Sequence, residues 1–265
     1  MEVLEKRRRA QDMKILILYF SAVGATKEVA KRMAKYFTNH EVDCYSIEEP
    51  FCQDLSSYDA LIVGTPVHHA EPAKLLMKVI DELPVQTRKI PTFVFNTKGL
   101  AACHTNRILA KQLLSKNLIT VYEADYVAPA SDGALILPQM KRFFRFEKGI
   151  EAKIAQDCTA FLALVASLKE EVVVKLPPFR FSSVMNAPNK FGSGFVTLNI
   201  RVHRDACTKC GLCISRCPYD AIHSDEAGYP MITKSSCTNC YRCIHHCPTR
   251  ALGLWKKKHL KVLAY

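Results

Sequence analysis

The chain has 265 residues, 49% of them hydrophobic, which is material for one large or two small domains. No apolar run approaches the roughly 18–20 residues needed to span a bilayer, and the charged start from Met1 to Lys14 lacks the apolar stretch of an export signal, so a reducing cytoplasm is the expected setting. The formal charge of +12 comes without a recognisable DNA-reading motif. The basic runs Arg7–Arg9 and Lys256–Lys258 read as solvated surface, with docking to an acidic partner as the alternative, and no nucleic-acid partner is expected.

After a charged extension over residues 1–13, short β-rich runs alternate with helical patterns, as in a parallel sheet wrapped by helices on both faces. Lys14–Phe20 is almost wholly apolar, as a strand buried on both sides must be. A loop from Ser21 to Thr26 leads into a helix with Val29, Met33 and Phe37 on one face and Lys27, Lys31, Arg32 and Lys35 toward solvent. Further strands are expected at Glu41–Ile47, Ala60–Gly64, Thr92–Asn96 and Ile119–Val127, and helices near Pro72–Leu83, His104–Lys116 and Glu147–Leu168. In the last helix Ile150, Ile154, Cys158, Phe161, Val165 and Leu168 recur at steps of three or four, which makes Cys158 a core residue. Residues 14–171 thus read as one complete α/β domain. Over 172–200, Pro177-Pro178, Ser182-Ser183, Pro188 and Gly192-x-Gly194 mark a linker, yet its four phenylalanines are too apolar for a free tether and should lie along the first domain.

A strand, a loop of small and hydroxyl residues and then a helix place backbone N–H groups and the positive helix end around a phosphate. Ser and Thr also cap ordinary helices, so the pattern alone is not specific. The loop lacks a dinucleotide fingerprint and the Gly-Lys-Ser/Thr of an ATP loop, which counts against hydride transfer from bound NAD and against nucleotide hydrolysis. Ser21-Ala22-Val23-Gly24-Ala25-Thr26 resembles the flavodoxin phosphate loop, Ser/Thr-x-Thr-Gly-Asn-Thr: Ser21, Gly24 and Thr26 match, while Val23 and Ala25 depart and remove a hydroxyl and an amide.

That resemblance implies a flavodoxin-like five-stranded parallel sheet of order 2-1-3-4-5 with bound FMN. It also implies flavin contacts from Thr65, Pro66, Val67, His68 and His69 after the third strand, and from Asn96, Thr97, Lys98, Gly99 and His104 after the fourth. Strand ends at the topological switch point are where such sheets hold ligands. Lys98 is placed to favour an anionic reduced flavin, while the bland reading of each side chain is a solvated loop residue. Cys103, near a helix start, is either a reactive thiol or a semi-buried one; Cys44 and Cys52 have no ligand spacing.

Eight of the 12 cysteines form two copies of one run, Cys207-x2-Cys210-x2-Cys213-x3-Cys217-Pro and Cys237-x2-Cys240-x2-Cys243-x3-Cys247-Pro. Three thiolates two residues apart on a tight turn can grip three irons of a cubane, and a fourth sulfur must arrive from elsewhere. Structural zinc uses paired Cys-x2-Cys without a third close cysteine, and disulfide frameworks belong to short secreted chains; these are the alternatives. The two runs also match between and beyond their cysteines, marking one unit used twice.

Residues 201–254 resemble the bacterial two-cluster 4Fe-4S ferredoxins, small α+β domains in which the fourth cysteine of each run ligates the other cluster. The implied sets are Cys207, Cys210, Cys213 and Cys247 for one cluster, and Cys237, Cys240, Cys243 and Cys217 for the other, followed by a basic tail over 255–265. Two clusters at about −2 each and a flavin phosphate would lower the net charge to about +6.

Taken over its full length the sequence resembles the flavodoxin–ferredoxin fusions of anaerobes. The expected function is relay of low-potential electrons between FMN and two 4Fe-4S clusters, from a donor protein to a separate acceptor enzyme, with docking through the ferredoxin face. The alternatives are a flavin-dependent reductase of a small molecule such as a quinone, and an iron–sulfur redox sensor.

Overall fold

The computed structural model describes residues 12–168, 176–178, 200–254 and Leu263. The charged extension, most of the expected linker and most of the basic tail lie outside the described residues.

Alternation along the first strand builds both faces of the larger half. In β1 (Lys14–Tyr19) successive side chains point to opposite sides. Ile15, Ile17 and Tyr19 join the core formed with α1 (Ala25–Ala34) and α5 (Ile150–Ser167) through Val29, Met33, Ile154 and Phe161. Leu16, Leu18 and Phe20 join the core of α2 (Lys74–Glu82) and α3 (Thr105–Leu114) through Leu76, Ile80, Leu109 and Leu113. Each fully buried aliphatic side chain stabilises the fold by about 1.5–3 kcal/mol, so a sheet lined on both faces is a rigid platform for the loops at its end.

With β2 (Glu41–Ser46), β3 (Ala60–His68), β5 (Ile90–Lys98) and β6 (Leu118–Val127), the sheet runs β2-β1-β3-β5-β6, all parallel. Counting these five in chain order gives 2-1-3-4-5, the flavodoxin-like topology. A two-residue β4 (Glu71–Pro72) folds back antiparallel on the end of β3, pairing Val67 with Pro72 and His68 with Glu71. Pro72 is therefore strand, and the helix expected from it begins at Lys74.

Strands β3 and β5 run longer than their apolar cores suggest because their polar ends stay paired, Thr65 with Asn96 and Pro66 with Thr97. Between β6 and α5 the chain forms a short α4 (Ser131–Ile136) and a 3-10 turn at Lys141–Phe144, neither of which has a helical period long enough to read.

The smaller half is a pseudo-twofold pair. β7 (Ile200–Val202) pairs antiparallel with β10 (Leu252–Leu254), β8 (Ile222–Ser224) with β9 (Pro230–Ile232), and α6 (Leu212–Ser215) faces its counterpart α7 (Arg242–His245). The repeat extends to backbone detail: Lys209 and Asn239, Gly211 and Tyr241, Asp220 and Arg250 are matched left-handed positions.

The two halves share packing. Leu135 of α4 is buried in one cluster with Ile222, Tyr241, Ile244, Leu252 and Leu254. His245 donates from Nε2 to the Ser131 carbonyl at 2.9 Å and accepts from the Leu263 amide at Nδ1, also at 2.9 Å, which fixes a neutral tautomer. From the expected linker, the Pro177 carbonyl accepts a hydrogen bond from Arg107 of α3, so this residue lies along the larger half.

Candidate functional site

The eight ligand-spaced cysteines fall into two groups in space. Cys207, Cys210, Cys213 and Cys247 line one small cavity, and Cys217, Cys237, Cys240 and Cys243 line another. Each group takes three cysteines from one run and the fourth from the other.

The fourth cysteine of each run also accepts an equivalent backbone hydrogen bond: Ala221 N–H to Cys217 Sγ at 3.3 Å and Ala251 N–H to Cys247 Sγ at 3.2 Å. Such N–H···S bonds favour thiolate and help set cluster potential. Burial pushes the free thiol of Cys240 up to about 11 and that of Cys243 well above its ordinary range. Bare thiols there would stay protonated at neutral pH, whereas binding to iron would hold them as thiolates. The donor set therefore fits a pair of cubane clusters. The first group is the more open, with Cys210 exposed, while Cys240 and Cys243 in the second are buried.

At the carboxyl ends of the sheet strands lies a cavity of about 620 Å³, within the range of cofactor sites. One wall is the loop after β1. Gly24, at φ 97, takes the left-handed turn that only glycine enters freely, its N–H donating to Ser21 Oγ at 3.1 Å. Among the described residues no side chain caps α1, so its first-turn amides keep the donor capacity that suits a phosphate. Ser21, Ala22, Val23, Ala25 and Thr26 line the cavity, and Thr26 Oγ1 is tied to Thr97 Oγ1 across the site at 2.8 Å. These residues fit a phosphate, and the apolar remainder of the cavity fits an aromatic ring system.

Of the other residues expected around a flavin, Pro66, Val67, His68, His69, Thr97, Lys98 and Gly99 line the same cavity. Gly24, Thr65, Asn96 and His104 do not line it. Thr65 Oγ1 receives the Ala73 amide at 3.0 Å, Asn96 is fully buried and donates to Asn106 and Asp125, and His104 precedes α3. Lys98 reaches the cavity, but its ammonium is paired with Asp125 at 3.0 Å, which offsets the charge it would bring to a ring.

Burial pushes His68 down to about 4, with further repulsion from His69 and Arg242, so it is a neutral imidazole at physiological pH. Its Nδ1 is sealed from solvent with no hydrogen-bond partner among the described residues, and its ring meets Phe20 edge-on at 6.4 Å. Cys103 is buried with φ 49 and lines the cavity.

Two contributions escape sequence reading. The segment from Pro129 to Leu137, with Phe143, forms the far wall, and Leu100, Ile136 and Leu137 stand exposed on its rim. The aliphatic pair Ile136-Leu137 at the end of the short α4 is the nearest sequence cue, and its exposure shows only in the fold. The other is Tyr241, from the cluster-binding half, which lines both the large cavity and the pocket of the buried cysteine group. Among the described residues no other is common to those two linings.

Comparison with known proteins agrees with this geometry. Residues 16–156 match the flavodoxin domain model, and residues 200–254 match the 4Fe-4S dicluster domain model. A pyruvate synthase subunit PorD from Pyrococcus horikoshii is 34% identical over 73 residues, covering 27% of this chain and 69% of that protein. Among solved structures, a flavodoxin from the domain Archaea aligns with 56% of this chain and 99% of its own at 19% identity and TM-score 0.39. Oxidised Flavodoxin 1 from Bacillus cereus covers 59% and 99% at 18% identity and TM-score 0.42, and an apo NADH:FMN oxidoreductase covers 60% and 91% at 18% and 0.45. The chain belongs to the flavodoxin domain family, joined to a two-cluster 4Fe-4S ferredoxin domain, and is an FMN and iron–sulfur electron-transfer protein of the flavodoxin–ferredoxin fusion type.

Proposed function

We propose that the chain relays low-potential electrons between FMN and a separate redox protein, through the buried cluster next to the flavin cavity and then the more open cluster. FMN supplies two-electron chemistry that divides into single-electron steps, and each cluster passes one electron at a time. The carrying observation is that one aromatic side chain, Tyr241, borders both the flavin cavity and the pocket of Cys217, Cys237, Cys240 and Cys243.

In this reading Ser21, Ala22 and Val23 and the amides of α1 hold the phosphate, while His68 and the end of β5 flank the ring system. The first cluster group, with Cys210 exposed beside Lys209, which shares the Tyr229 ring with Arg204, is the exit toward a partner. The likeness of the second domain to a pyruvate synthase subunit supports an enzyme complex as that partner. Domain limits of 14–171 and 201–254 follow from the same reading.

Oxygen-free protein carrying about eight irons and one FMN, and passing electrons to an added enzyme partner in a salt-sensitive way, is the expected result. Saturable turnover of a small acceptor with no protein partner would instead favour a reductase. The exposed apolar rim of Leu100, Ile136 and Leu137 is the feature that supports this second reading.

A further inference from the structure

The loop between Cys240 and Cys243 departs from the pattern of its own repeat. In the first repeat the left-handed residue before α6 is Gly211, at φ 73, with nothing among the described residues within 4 Å of where a Cβ would stand. In the second repeat the same position is Tyr241, at φ 60. A tyrosine is strained in this left-handed conformation where glycine is not, so the ring must serve a purpose that outweighs the strain. It is 1% exposed, and its hydroxyl is sealed without a hydrogen-bond partner among the described residues. What the side chain offers the cavity it lines is therefore its ring and not its hydroxyl.

The next residue acts on the opposite wall. Arg242 donates from Nε to the Ala22 carbonyl at 2.9 Å and from Nη2 to the Ser21 carbonyl at 2.8 Å, while its two terminal nitrogens grip Glu48 at 2.6 Å each. In a trans peptide the N–H points opposite to the C=O. Fixing these two carbonyls toward Arg242 therefore turns the amides of Ala22 and Val23 away from it and sets their direction. This is the loop in which Val23 and Ala25 stand where a hydroxyl and an amide would otherwise order it.

We propose that Tyr241 and Arg242 are flavin-positioning residues, so that the cluster-binding half completes the FMN site and FMN affinity depends on the loop that carries the proximal cluster. The inference rests on the FMN reading given above. By linkage the dependence is reciprocal: bound FMN stabilises the docked cluster loop by the same factor.

The test is an FMN titration of the full-length, cluster-loaded protein by flavin fluorescence quenching, with iron counted in each sample. Tyr241→Gly places the residue of the first repeat at a backbone position that suits it, and it should keep about eight irons while binding FMN about tenfold more weakly. Tyr241→Phe, which keeps the ring, should recover most of the loss. Glu48→Ala leaves the cluster half untouched but loosens Arg242, and should weaken FMN about three- to tenfold. The flavin midpoint potential should shift in Tyr241→Gly and return toward wild type in Tyr241→Phe, which a purely structural role would not require.

If wild type binds FMN and both Tyr241→Gly and Glu48→Ala bind it within twofold of wild type, the inference is overturned and the FMN reading stands. Should Tyr241→Gly lose iron, the affinity of Glu48→Ala decides the matter alone. A wild-type chain that takes up no FMN overturns both.

Discussion

Replacing Arg242 with Met should undock the two halves locally while leaving each folded. The side chain is 12% exposed and its guanidinium makes four hydrogen bonds of 2.6–2.9 Å to two carbonyls and one carboxylate of the larger half, a fifth of 3.4 Å to the Arg216 carbonyl of its own half, and a cation–π contact to Phe20 at 5.4 Å. A charge-assisted hydrogen bond contributes about 1.5–3 kcal/mol, and truncating one member of a buried pair costs about 3–5 kcal/mol. Glu48 is 31% exposed and regains water when its partner leaves, so the lower end applies, about 3 kcal/mol. Methionine keeps part of the apolar stem, which confines the loss to the polar contacts. Native-state hydrogen exchange at the amides of Ile244 to His246 and of Ala22 to Thr26 reads the opening directly. A loss of about 3 kcal/mol appears as exchange faster by about a hundredfold. Arg242→Lys keeps the charge without the fork and should fall between wild type and Arg242→Met. Exchange within about threefold of wild type in Arg242→Met would show that the staple holds nothing together.

Exchange of ligands between the runs predicts crossed phenotypes. Cys247→Ala should disturb the cluster built mainly from the first run and Cys217→Ala the one built mainly from the second, distinguishable by iron count and electron paramagnetic resonance of the reduced protein. Gly64 lies under Phe95, whose ring would stand 2.2 Å from an added Cβ; Gly64→Ala should cost about 1–3 kcal/mol and lower Tm by several degrees in anaerobic calorimetry. His68 has its folded pKa lowered from 6.5 to about 4 by burial, so the unfolded chain binds its proton first. Its contribution is complete above pH 6.5 and is lost as pH falls toward 4, by up to about 3 kcal/mol. His68→Gln should flatten stability over that acid range, and NMR titration should show the ring neutral at pH 6.

The first half was legible because its physics is local and periodic. An almost wholly apolar β1, the i, i+3, i+4 pattern of α5 and the small-residue loop at 21–26 each follow from neighbours in sequence. The cysteine runs were legible because ligand chemistry imposes their spacing. What stayed hidden has no such period. α4 is six residues long and lies between irregular segments, and its role comes from Leu135 packing into the other half. Tyr241 occupies a variable position of Cys-x2-Cys-x2-Cys, and only three-dimensional packing reveals that it faces the flavin cavity. Arg242 meets its carbonyls across 220 and 221 residues of chain, beyond any sequence window. Lys98 shows the converse limit: its position on the cavity was readable, while its pairing with Asp125 arises from strand register.

Communication between flavin and clusters inside one chain is tested most directly by flash reduction of bound FMN in oxygen-free, full-length protein while cluster bleaching is followed. A cavity and a cluster pocket separated by Tyr241 predict redistribution of the electron at a rate independent of protein concentration. A rate that rises in proportion to concentration would mean that electrons travel between molecules, and would contradict the relay.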